Sequence, residues 1–495
     1  TGLTGTHNKH DNNNGDTMNS ETRPIRLVQW TTGKVACASI KAILDRPNLE
    51  LVGLYAFSES KVGKDVGELA GLGRDIGVKA TNDLDALLAL KPDCVVYMPL
   101  HPDVEQMATI LRAGVNIATT ASFLTGRGYG QAARETLQAA AEAGSASLFG
   151  SGINPGWVDN LVCTATSMCQ EVNQIRVVES FNIGLWAEDA NQDALGWGRP
   201  AGDAGHAQAI EQATLPFGDA VEAVAHALNH PLDDIRCEVE FAHATEDLDV
   251  PGRDVKAGTV AGILARWLGI SDGLPVIHLT AQWTVAEEIT PAWDIAMAYK
   301  IDVFGSPKIG MRVEVLPEDM SLPMDELVLT GHIMTAAPVV NAIPQVVAAP
   351  PGIVTYADIK PVTSVIRPKP VKTEPTPEVA VEDAPAPAAN GAVTAESLVG
   401  TWTVTIAAPT GPQATKLDLR LDNGVLCGEQ SADGNSSAIT DVKLDGNQLT
   451  WINRVTKPMK LKVKFLATVE GHRMSGKVKP GPLGRFSFTA EKVAA

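Results

Sequence analysis

The stretch WTTGKVA, from Trp30 to Ala36, has the residue types and spacing of a turn that could bind phosphate. A dinucleotide-binding turn has small residues at three positions, for a tight bend, close approach of the pyrophosphate and packing of helix on strand. Thr31, Gly33 and Ala36 hold these positions, so glycine is kept where phosphate comes closest. An ordinary turn between a strand and a helix is the alternative, and the position in the fold must decide. The predicted cofactor contacts in this turn are Thr31, Thr32, Gly33, Lys34 and Val35.

A second group of polar residues follows the next apolar segment and could distinguish NAD from NADP. Sites specific for NAD usually place an acidic residue here, which binds the ribose 2′-hydroxyl. In this chain Ser58, Ser60 and Lys61 occupy the loop, with Lys64 nearby. Glu59 is the one acid among them. Hydroxyl groups and lysines suit a 2′-phosphate, so we predict NADP(H), and the alternative is a solvated loop in which Glu59 binds NAD.

Two further segments, MPLHP and ATTASF, each follow a short apolar stretch and could face the reacting end of a cofactor. From these segments we predict cofactor contacts through Pro99, Leu100 and Thr120. His101 could donate or accept a proton, because the unperturbed pKa of histidine lies near neutrality. It could equally be a loop histidine that caps the helix predicted from Val104.

The segment GSGINPGWVDN is the predicted crossing from the first domain into the second. Asn154 could offer its side-chain amide to the carboxamide of nicotinamide or to a substrate. A conventional crossover would explain the glycines and Pro155, but it gives no task to Asn154 or Trp157.

Aromatic and acidic residues downstream of this crossing could form a pocket for a cationic substrate. Aromatic walls beside a carboxylate suit an amine or an imine. Packing in a hydrophobic core is the alternative for such tryptophans. The candidates for the pocket walls are Trp157, Trp186 and Trp197. The candidates for proton transfer are His101, Glu179 and Asp193, with Glu188 and Asp189 weighed beside Asp193.

The elements that must position these residues alternate between strands and helices. We predict strands at 26–30, 49–55, 94–98 and 116–119, and helices at 35–44 and 104–113. Such alternation is typical of a doubly wound parallel sheet, in which ligands bind beyond the carboxyl ends of the strands. The WTTGKVA turn follows the first strand and opens a helix, whose N-terminal amides can hold an anion. Its position therefore favours a nucleotide-binding turn.

Four segments carry a resemblance to a known family: VQWTTGKVACASIKAIL, LELVGLYAFSESKVGKDVGELAG, DCVVYMPLHPD and GSGINPGWVDN. Together they resemble actinobacterial dihydrodipicolinate reductase-like proteins, which are related to 2,4-diaminopentanoate dehydrogenase and the native amine dehydrogenases. The resemblance covers residues 26–361. It implies a nicotinamide-binding Rossmann domain, followed by an α/β substrate and dimerisation domain with a large mixed sheet.

The sequence departs from this family at two places. The amine dehydrogenase relatives carry a catalytic glutamate in a segment resembling AEE, where this chain has Thr120, Ala121 and Ser122. True dihydrodipicolinate reductases carry a His-His segment, a lysine and an Asp-Ala-Pro-Ser-Gly-Thr-like run, which are absent here. The usual catalytic acid is therefore missing, and we do not expect reduction of dihydrodipicolinate.

The last quarter of the chain differs from the rest in its composition and in its pattern of apolar residues. The segment 367–397 is rich in proline and alanine and is predicted to be a semi-rigid linker. Beyond it, about eight short alternating strands separated by turn residues predict a small antiparallel barrel or sandwich. In the strand that carries Lys460, Lys462 and Lys464, one face should be basic. That face could dock on acidic domains of this chain or of a partner subunit, or it could be a solvated face that protects a sheet edge.

Charge supports this division, because the chain from Glu396 onward contains 13 Lys and Arg against 9 Asp and Glu, a net charge of +4. The total is −18, which leaves −22 for the rest and argues against nucleic acid as a partner. The predicted division is a disordered tail or appended remnant at 1–23, a Rossmann domain at 24–150, a substrate and dimerisation domain at 151–335, a return segment at 336–366, the linker at 367–397 and the barrel at 398–495.

These features predict an NADP(H)-dependent oxidoreductase that transfers hydride to or from a C=N or C=O bond, with an amine and imine couple preferred. The alternative is a catalytically weak sensor or scaffold that binds a nucleotide or another ligand, since the family glutamate is missing. We expect a small-molecule substrate, no metal, no membrane association and a homodimer or higher homo-oligomer. The six cysteines form no C-x-x-C pair, which favours reduced thiols and a cytoplasmic location.

Overall fold

The computed structural model describes residues 23–317, 324–368, 393–408, 411–432, 435–455, 461–480 and 486–493. The first domain starts with strands and helices in alternation. They are β1 (Ile25–Trp30), α1 (Lys34–Leu44), β2 (Leu49–Tyr55), α2 (Val66–Leu69), β3 (Ala80–Thr81), α3 (Leu84–Ala89), β4 (Cys94–Tyr97), α4 (Val104–Arg112), β5 (Asn116–Thr119), α5 (Gln131–Gly144) and β6 (Ser147–Gly150). Of the predicted tail, only Arg23 lies within the described residues.

The second domain is built around a large sheet. Its elements are α6 (Val158–Thr166), β7 (Glu171–Asn182), α7 (His206–Ala213), α8 (Leu215–Ala227), β8 (Asp234–Ala244), β9 (Leu248–Val250), β10 (Arg253–Val255), β11 (Val260–Ser271), β12 (Leu274–Thr284), β13 (Ile289–Thr290), β14 (Ala298–Ser306) and β15 (Ile309–Val313). The sheet has the order β13-β8-β11-β12-β7-β14-β15 and is mixed, because β7 and β12 are parallel whereas the other pairs are antiparallel.

The chain then returns to the first domain through α9 (Met324–Val347) and β16 (Gly352–Val354). The seven-stranded parallel sheet that results has the order β16-β6-β5-β4-β1-β2-β3. Residues Leu27 to Trp30 of β1 are fully buried, as expected for a parallel strand covered by helices on both faces. This confirms the predicted doubly wound sheet followed by an α/β domain with a mixed sheet.

Taken alone, Pro338 and Pro344 would favour a helix start and a kink over a helix interior. Both lie inside α9, which begins at Met324. The helix continues through them because Val339, Val340 and Ile343 pack in the core of the first domain, and this burial outweighs the cost of proline in a helix. The segment Glu326–Val347 is long and apolar enough to cross a membrane by length and composition, but its buried face is part of this core.

The C-terminal domain is a closed barrel of eight strands in sequential order, preceded by one short helix. Its elements are α10 (Ala395–Leu398), β17 (Gly400–Ala408), β18 (Gly411–Asp422), β19 (Val425–Ala432), β20 (Asn435–Asp445), β21 (Gln448–Val455), β22 (Leu461–Glu470), β23 (Arg473–Pro480) and β24 (Phe486–Lys492). Pairing of β17 with β24 closes the barrel, so its described strands leave no sheet edge for lysines to protect. Most of the predicted linker, residues 369–392, lies outside the described residues.

Candidate active site

A cleft of about 1290 Å³ lies between the two domains. On the first-domain side it is lined by loops at the carboxyl ends of the parallel strands, where ligands of such sheets bind. These residues are Thr31, Gly33, Lys34, Val35, Ala36, Phe57, Met98, Pro99, Leu100, His101, Thr120, Ala121 and Ser122. On the second-domain side, the lining residues that matter here are Glu179, Phe181, Trp186, Asp189, Ile295 and Tyr299, and α9 adds Gly331 and His332.

The turn between β1 and α1 leaves open space where the pyrophosphate was expected. Gly33 has φ −70° and ψ 171°, which any residue can adopt, and a Cβ atom built on it would meet no atom of the described residues within 4 Å. Glycine is thus not required there by the protein's own backbone or packing. The open space lies beside the first residue of α1, where the helix N-terminus favours an anion. The residues present therefore fit the phosphates of a dinucleotide.

Thr31, at the position where such turns usually have their first glycine, has φ 75°. This left-handed conformation is unfavourable for a β-branched residue. The Oγ1 of Thr31 donates to the carbonyl oxygen of Met98 at 3.1 Å, which ties the turn to the loop after β4. The backbone thus follows the path of a glycine-rich turn although threonine is present.

Because of this strain, we predict that Thr31→Gly is more stable than Thr31→Ala, which is the reverse of the usual order for glycine and alanine. Both Thr31→Gly and Thr31→Ala lose the hydrogen bond to Met98, but only alanine retains the left-handed penalty. We expect the glycine variant to be more stable than the alanine variant by about 1–2 kcal/mol in denaturant unfolding. At a strand position with ordinary φ, alanine would be the more stable of the two, and that order would contradict a strained turn.

The loop after β2 brings a cation and two hydroxyl groups to the same turn. Lys61 Nζ donates to Thr32 Oγ1 at 2.7 Å, and the hydroxyl groups of Ser58 and Ser60 lie 2.7 Å apart. The carboxylate of Glu59 instead accepts a hydrogen bond from the side chain of Asn82 at 2.7 Å. The acid that would suit NAD is thus engaged by a neighbour.

A cluster of polar side chains from three separate segments lines the cleft. Asp189 of the second domain forms an ion pair with Lys34 of α1 at 2.5 Å, and its other oxygen lies 3.2 Å from Nε2 of His332. The cluster joins three segments that are far apart in sequence. His332 was missed because a single histidine in an apolar helix gives no sequence signal.

Glu179 is the carboxylate that the second-domain sheet presents to the cleft. It lies on β7, opposite Tyr299 of β14. Its two oxygens accept hydrogen bonds from Asn154 Nδ2 at 2.7 Å and from Trp283 Nε1 at 2.8 Å. Removal from bulk water raises the pKa of Glu179 to about 7, although these hydrogen bonds oppose the shift, and the charge of Asp159 adds to it. A carboxyl group with this pKa can give or take a proton near neutrality.

The loop after β5 is tied to the second domain by a set of hydrogen bonds to one carboxylate. Asp219 of α8 accepts hydrogen bonds from four backbone N–H groups of the loop, at 2.6 to 3.3 Å. The donors are those of Leu124, Thr125, Gly126 and Gly128. This buried aspartate therefore anchors the loop to the second domain directly after Thr120, Ala121 and Ser122.

Several residues that were predicted for the site do not line the cleft. Asp193 is mostly exposed and pairs with Arg253 at 2.7 Å, so Asp189 takes the place at the cleft that was expected for Asp193. Trp197 is buried in a hydrophobic cluster of the second domain, and Trp157 packs against another, so neither is a cleft wall. These two tryptophans follow the alternative of core packing, because Trp197 is buried and Trp157 packs, partly buried, against apolar neighbours. Trp186 does line the cleft.

Two more predictions are refined by the geometry. His101 lines the cleft, and α4 is capped instead by Asp103, whose side chain accepts from the backbone N–H of Gln106 at 3.0 Å. Asn154 contacts Glu179 and is not part of the cleft surface, so it orients the carboxylate.

Comparisons with known proteins agree with this architecture. The model of the 2,4-diaminopentanoate dehydrogenase C-terminal domain matches residues 157–372. An amine dehydrogenase from Streptomyces virginiae is 30% identical over 353 residues, which cover 68% of this chain and 96% of that protein. A 2,4-diaminopentanoate dehydrogenase from Acetoanaerobium sticklandii is 28% identical over 228 residues, covering 43% of this chain and 57% of that protein. The solved structure of an amine dehydrogenase from Mycobacterium smegmatis shares the fold, with a TM-score of 0.57 and 22% identity over 69% of this chain and 97% of that chain.

Proposed function

Because this chain belongs to the family that contains amine dehydrogenase and 2,4-diaminopentanoate dehydrogenase, and is thus an NAD(P)-dependent oxidoreductase, we propose that it is an NADP(H)-dependent amine dehydrogenase. The observation that carries the proposal is Glu179, which lies in the cleft opposite the nucleotide-binding loops with a pKa of about 7. A primary amine and the corresponding imine or carbonyl compound are the proposed substrate pair.

The proposed reaction needs a proton acceptor in one direction and a proton donor in the other. In oxidation, a primary ammonium group loses a proton to give the neutral amine, and the carbon beside the nitrogen then loses a hydride to give a protonated imine. Water converts the protonated imine into a carbonyl compound and ammonium. A bound nicotinamide would supply the acceptor for the hydride. Glu179 takes the proton as a carboxylate, and in reduction it returns the proton as a carboxylic acid.

Glu179 also supplies a carboxylate in place of the family glutamate that this chain lacks. Thr120, Ala121 and Ser122 line the cleft on the first-domain side, but they offer no carboxylate. Glu179 offers one from the opposite wall, on a strand instead of a loop. The presence of a proton-transfer group in the cleft favours an enzyme over a sensor or scaffold.

The residues around the turn support NADP(H). Lys61 is held against the turn by Thr32, and the hydroxyl groups of Ser58 and Ser60 lie on the same loop. All of these groups can donate hydrogen bonds to a phosphate, whereas Glu59 is engaged by Asn82. In this role Lys61 would interact with the phosphate on the ribose, and Lys34 would lie beside the pyrophosphate.

Cofactor preference gives a direct test of this assignment. Changing Lys61 to alanine should raise the Kd for NADPH by about 10- to 100-fold, because a charged hydrogen bond contributes about 1.5–3 kcal/mol. The Kd for NADH should hardly change. Lys64→Ala is the matched control, since Lys64 lies in the same loop but pairs with Glu68 at 2.7 Å. Fluorescence titration measures both constants, and an equal loss for both cofactors would show that Lys61 does not contact the 2′-phosphate.

The amine chemistry itself is tested in the reductive direction. We expect the full chain to oxidise NADPH when an aldehyde or ketone and ammonia are both present. Omitting ammonia should abolish the reaction, since the nitrogen must form the imine. Consumption of NADPH with the carbonyl compound alone would identify an alcohol-forming reductase and refute the proposal.

A further inference from the structure

The interior of the C-terminal barrel is filled by its own side chains. Trp402, Trp451, Phe465 and Phe488 are buried there, and the rings of Trp451 and Phe465 are stacked with centroids 4.6 Å apart. Small barrels of eight strands either fill their interior or hold one ligand. This barrel is of the first kind in the part of the chain that the structure describes. Its contribution to the enzyme must therefore come from its outer surface.

That outer surface contains a group of lysines on two neighbouring strands. Lys462 and Lys464 lie on β22, and Lys479 lies on β23 directly opposite Lys464 in the register. Like charges that face each other across strands are destabilising. These three residues, here called the barrel lysines, therefore need an anionic surface beside them. Lys460, which was predicted to extend this basic face, lies outside the described residues.

The anionic surface is provided by two adjacent glutamates between β12 and β13 of the second domain. Lys462 lies 2.5 Å from Glu288, while Lys464 and Lys479 lie 3.1 and 2.9 Å from Glu287. Each group would be repulsive alone, whereas the two groups neutralise each other in contact. This contact selects docking over the alternative of a solvated basic face.

The contact is partly removed from water. The glutamate side chains are 18% and 20% exposed and the lysine side chains 21% to 40%, so screening by salt is weaker than at an open surface. Burial alone would raise the pKa of Glu288, but the hydrogen bond from Lys462 and the charges of Lys462 and Lys464 lower it. The glutamate is thus held in its charged form.

Docking at this place brings the barrel to the cleft. The segment that follows the two glutamates reaches the cleft at Asp294, Ile295, Ala296 and Met297. Phe486, the first residue of β24, lines the same cleft from the barrel side. Phe486 also packs, partly buried, against the hydrophobic core of the barrel, so an aromatic residue of the third domain is held in the wall of the cleft.

We propose that the docked barrel is a specificity element, in which Phe486 limits the size of the amine side chain that the cleft accepts. The barrel lysines and the two glutamates hold Phe486 in place. The specificity part of this inference rests on the proposed amine dehydrogenase function, whereas the docking part does not.

The test compares two charge-reversal variants of the full chain. Lys462→Glu/Lys464→Glu reverses two of the three barrel lysines, so that like charges face Glu287 and Glu288 and only Lys479 still forms an ion pair there. Lys443→Glu/Lys477→Glu makes the same change of net charge at exposed barrel positions. We expect a larger radius of gyration by small-angle X-ray scattering for the first variant only. For the same variant, the ratio of kcat/KM for a bulky amine to that for a small amine should rise by roughly tenfold.

Phe486→Ala removes the aromatic ring while the barrel stays docked, so it separates the effect of the ring from the effect of docking. It should raise the same ratio by a similar factor while the radius of gyration stays that of the parent. A contact variant that remains as compact as the parent overturns the docking, and an unchanged ratio in the expanded variant and in Phe486→Ala overturns the specificity role. A parent protein that oxidises no amine at all refutes the proposed function instead, and the scattering comparison still decides the docking.

Discussion

Replacing Glu179 by glutamine is expected to lower kcat for amine oxidation by about 10²- to 10⁴-fold, the usual contribution of a positioned proton-transfer group. Glutamine has the same shape and still accepts the hydrogen bond from Asn154, so the cleft should keep its form. The affinity for NADPH should remain that of the parent, because Glu179 lies on the opposite wall from the phosphate-binding turn. Steady-state kinetics and a fluorescence titration measure the two effects, and a variant with parental kcat would remove Glu179 from the mechanism.

The pH dependence gives a second observation on the same residue. With a pKa of about 7, Glu179 is a carboxylate above neutrality and a carboxylic acid below it. The rate of amine oxidation should therefore rise with pH through about 7, since this direction needs the base. This inflection should be absent from the residual activity of Glu179→Gln.

The stability of Glu179→Gln shows whether its loss of activity could come from unfolding. A carboxyl group whose pKa is raised from 4.5 to about 7 on folding makes the native state less stable as the pH rises between these values. Above neutrality, this shift lowers the free energy of unfolding of the parent by about 3 kcal/mol. The glutamine variant avoids that loss, but it lacks the hydrogen bond from Trp283, which contributes about 1 kcal/mol. The variant should thus be more stable than the parent above neutrality, but not in acid. Loss of activity in a more stable protein cannot come from unfolding.

Gly33→Val is the second change with a large expected effect. The valine side chain would occupy the open space at the start of α1, where we place the pyrophosphate. NADPH binding should weaken by at least about 100-fold, because phosphate can approach the backbone only where no side chain intervenes. The backbone dihedrals of Gly33 suit valine, so the melting temperature should stay near that of the parent.

A graded series makes this result specific. Gly33→Ala should weaken binding less than valine does, in proportion to the smaller side chain. The measurement is the Kd for NADPH of each variant, with circular dichroism to confirm the fold. Parental affinity in a folded valine variant would show that the phosphates bind elsewhere.

The parallel sheet could be predicted from sequence because its strands are buried runs bounded by clear turns. The segments 49–55 and 116–119 match β2 and β5 at both ends. The course of α9 could not be predicted in this way. Locally, its two prolines favour a helix start and a kink over a helix interior, whereas packing of Val339, Val340 and Ile343 in the first-domain core keeps the helix continuous.

The site was predictable only where its residues follow strands of the first sheet. Thr31, Pro99 and Thr120 come together because the carboxyl ends of parallel strands meet at one edge. The choice between Asp189 and Asp193 had no such basis, since both lie in one irregular segment and only the fold shows which side chain faces the cleft. The same holds for the indole ring of Trp197, which is covered by apolar neighbours.

The most direct test of the central claim is the stoichiometry of amine oxidation by the full chain. The protein would be incubated with NADP⁺ and a panel of primary amines, and the NADPH and ammonia formed would be measured in the same samples. We expect equal amounts of NADPH and ammonia with the accepted amines, and neither product with Glu179→Gln on the same timescale. A parent protein that binds NADPH but forms neither product from any amine, or forms NADPH without ammonia, would contradict the proposal.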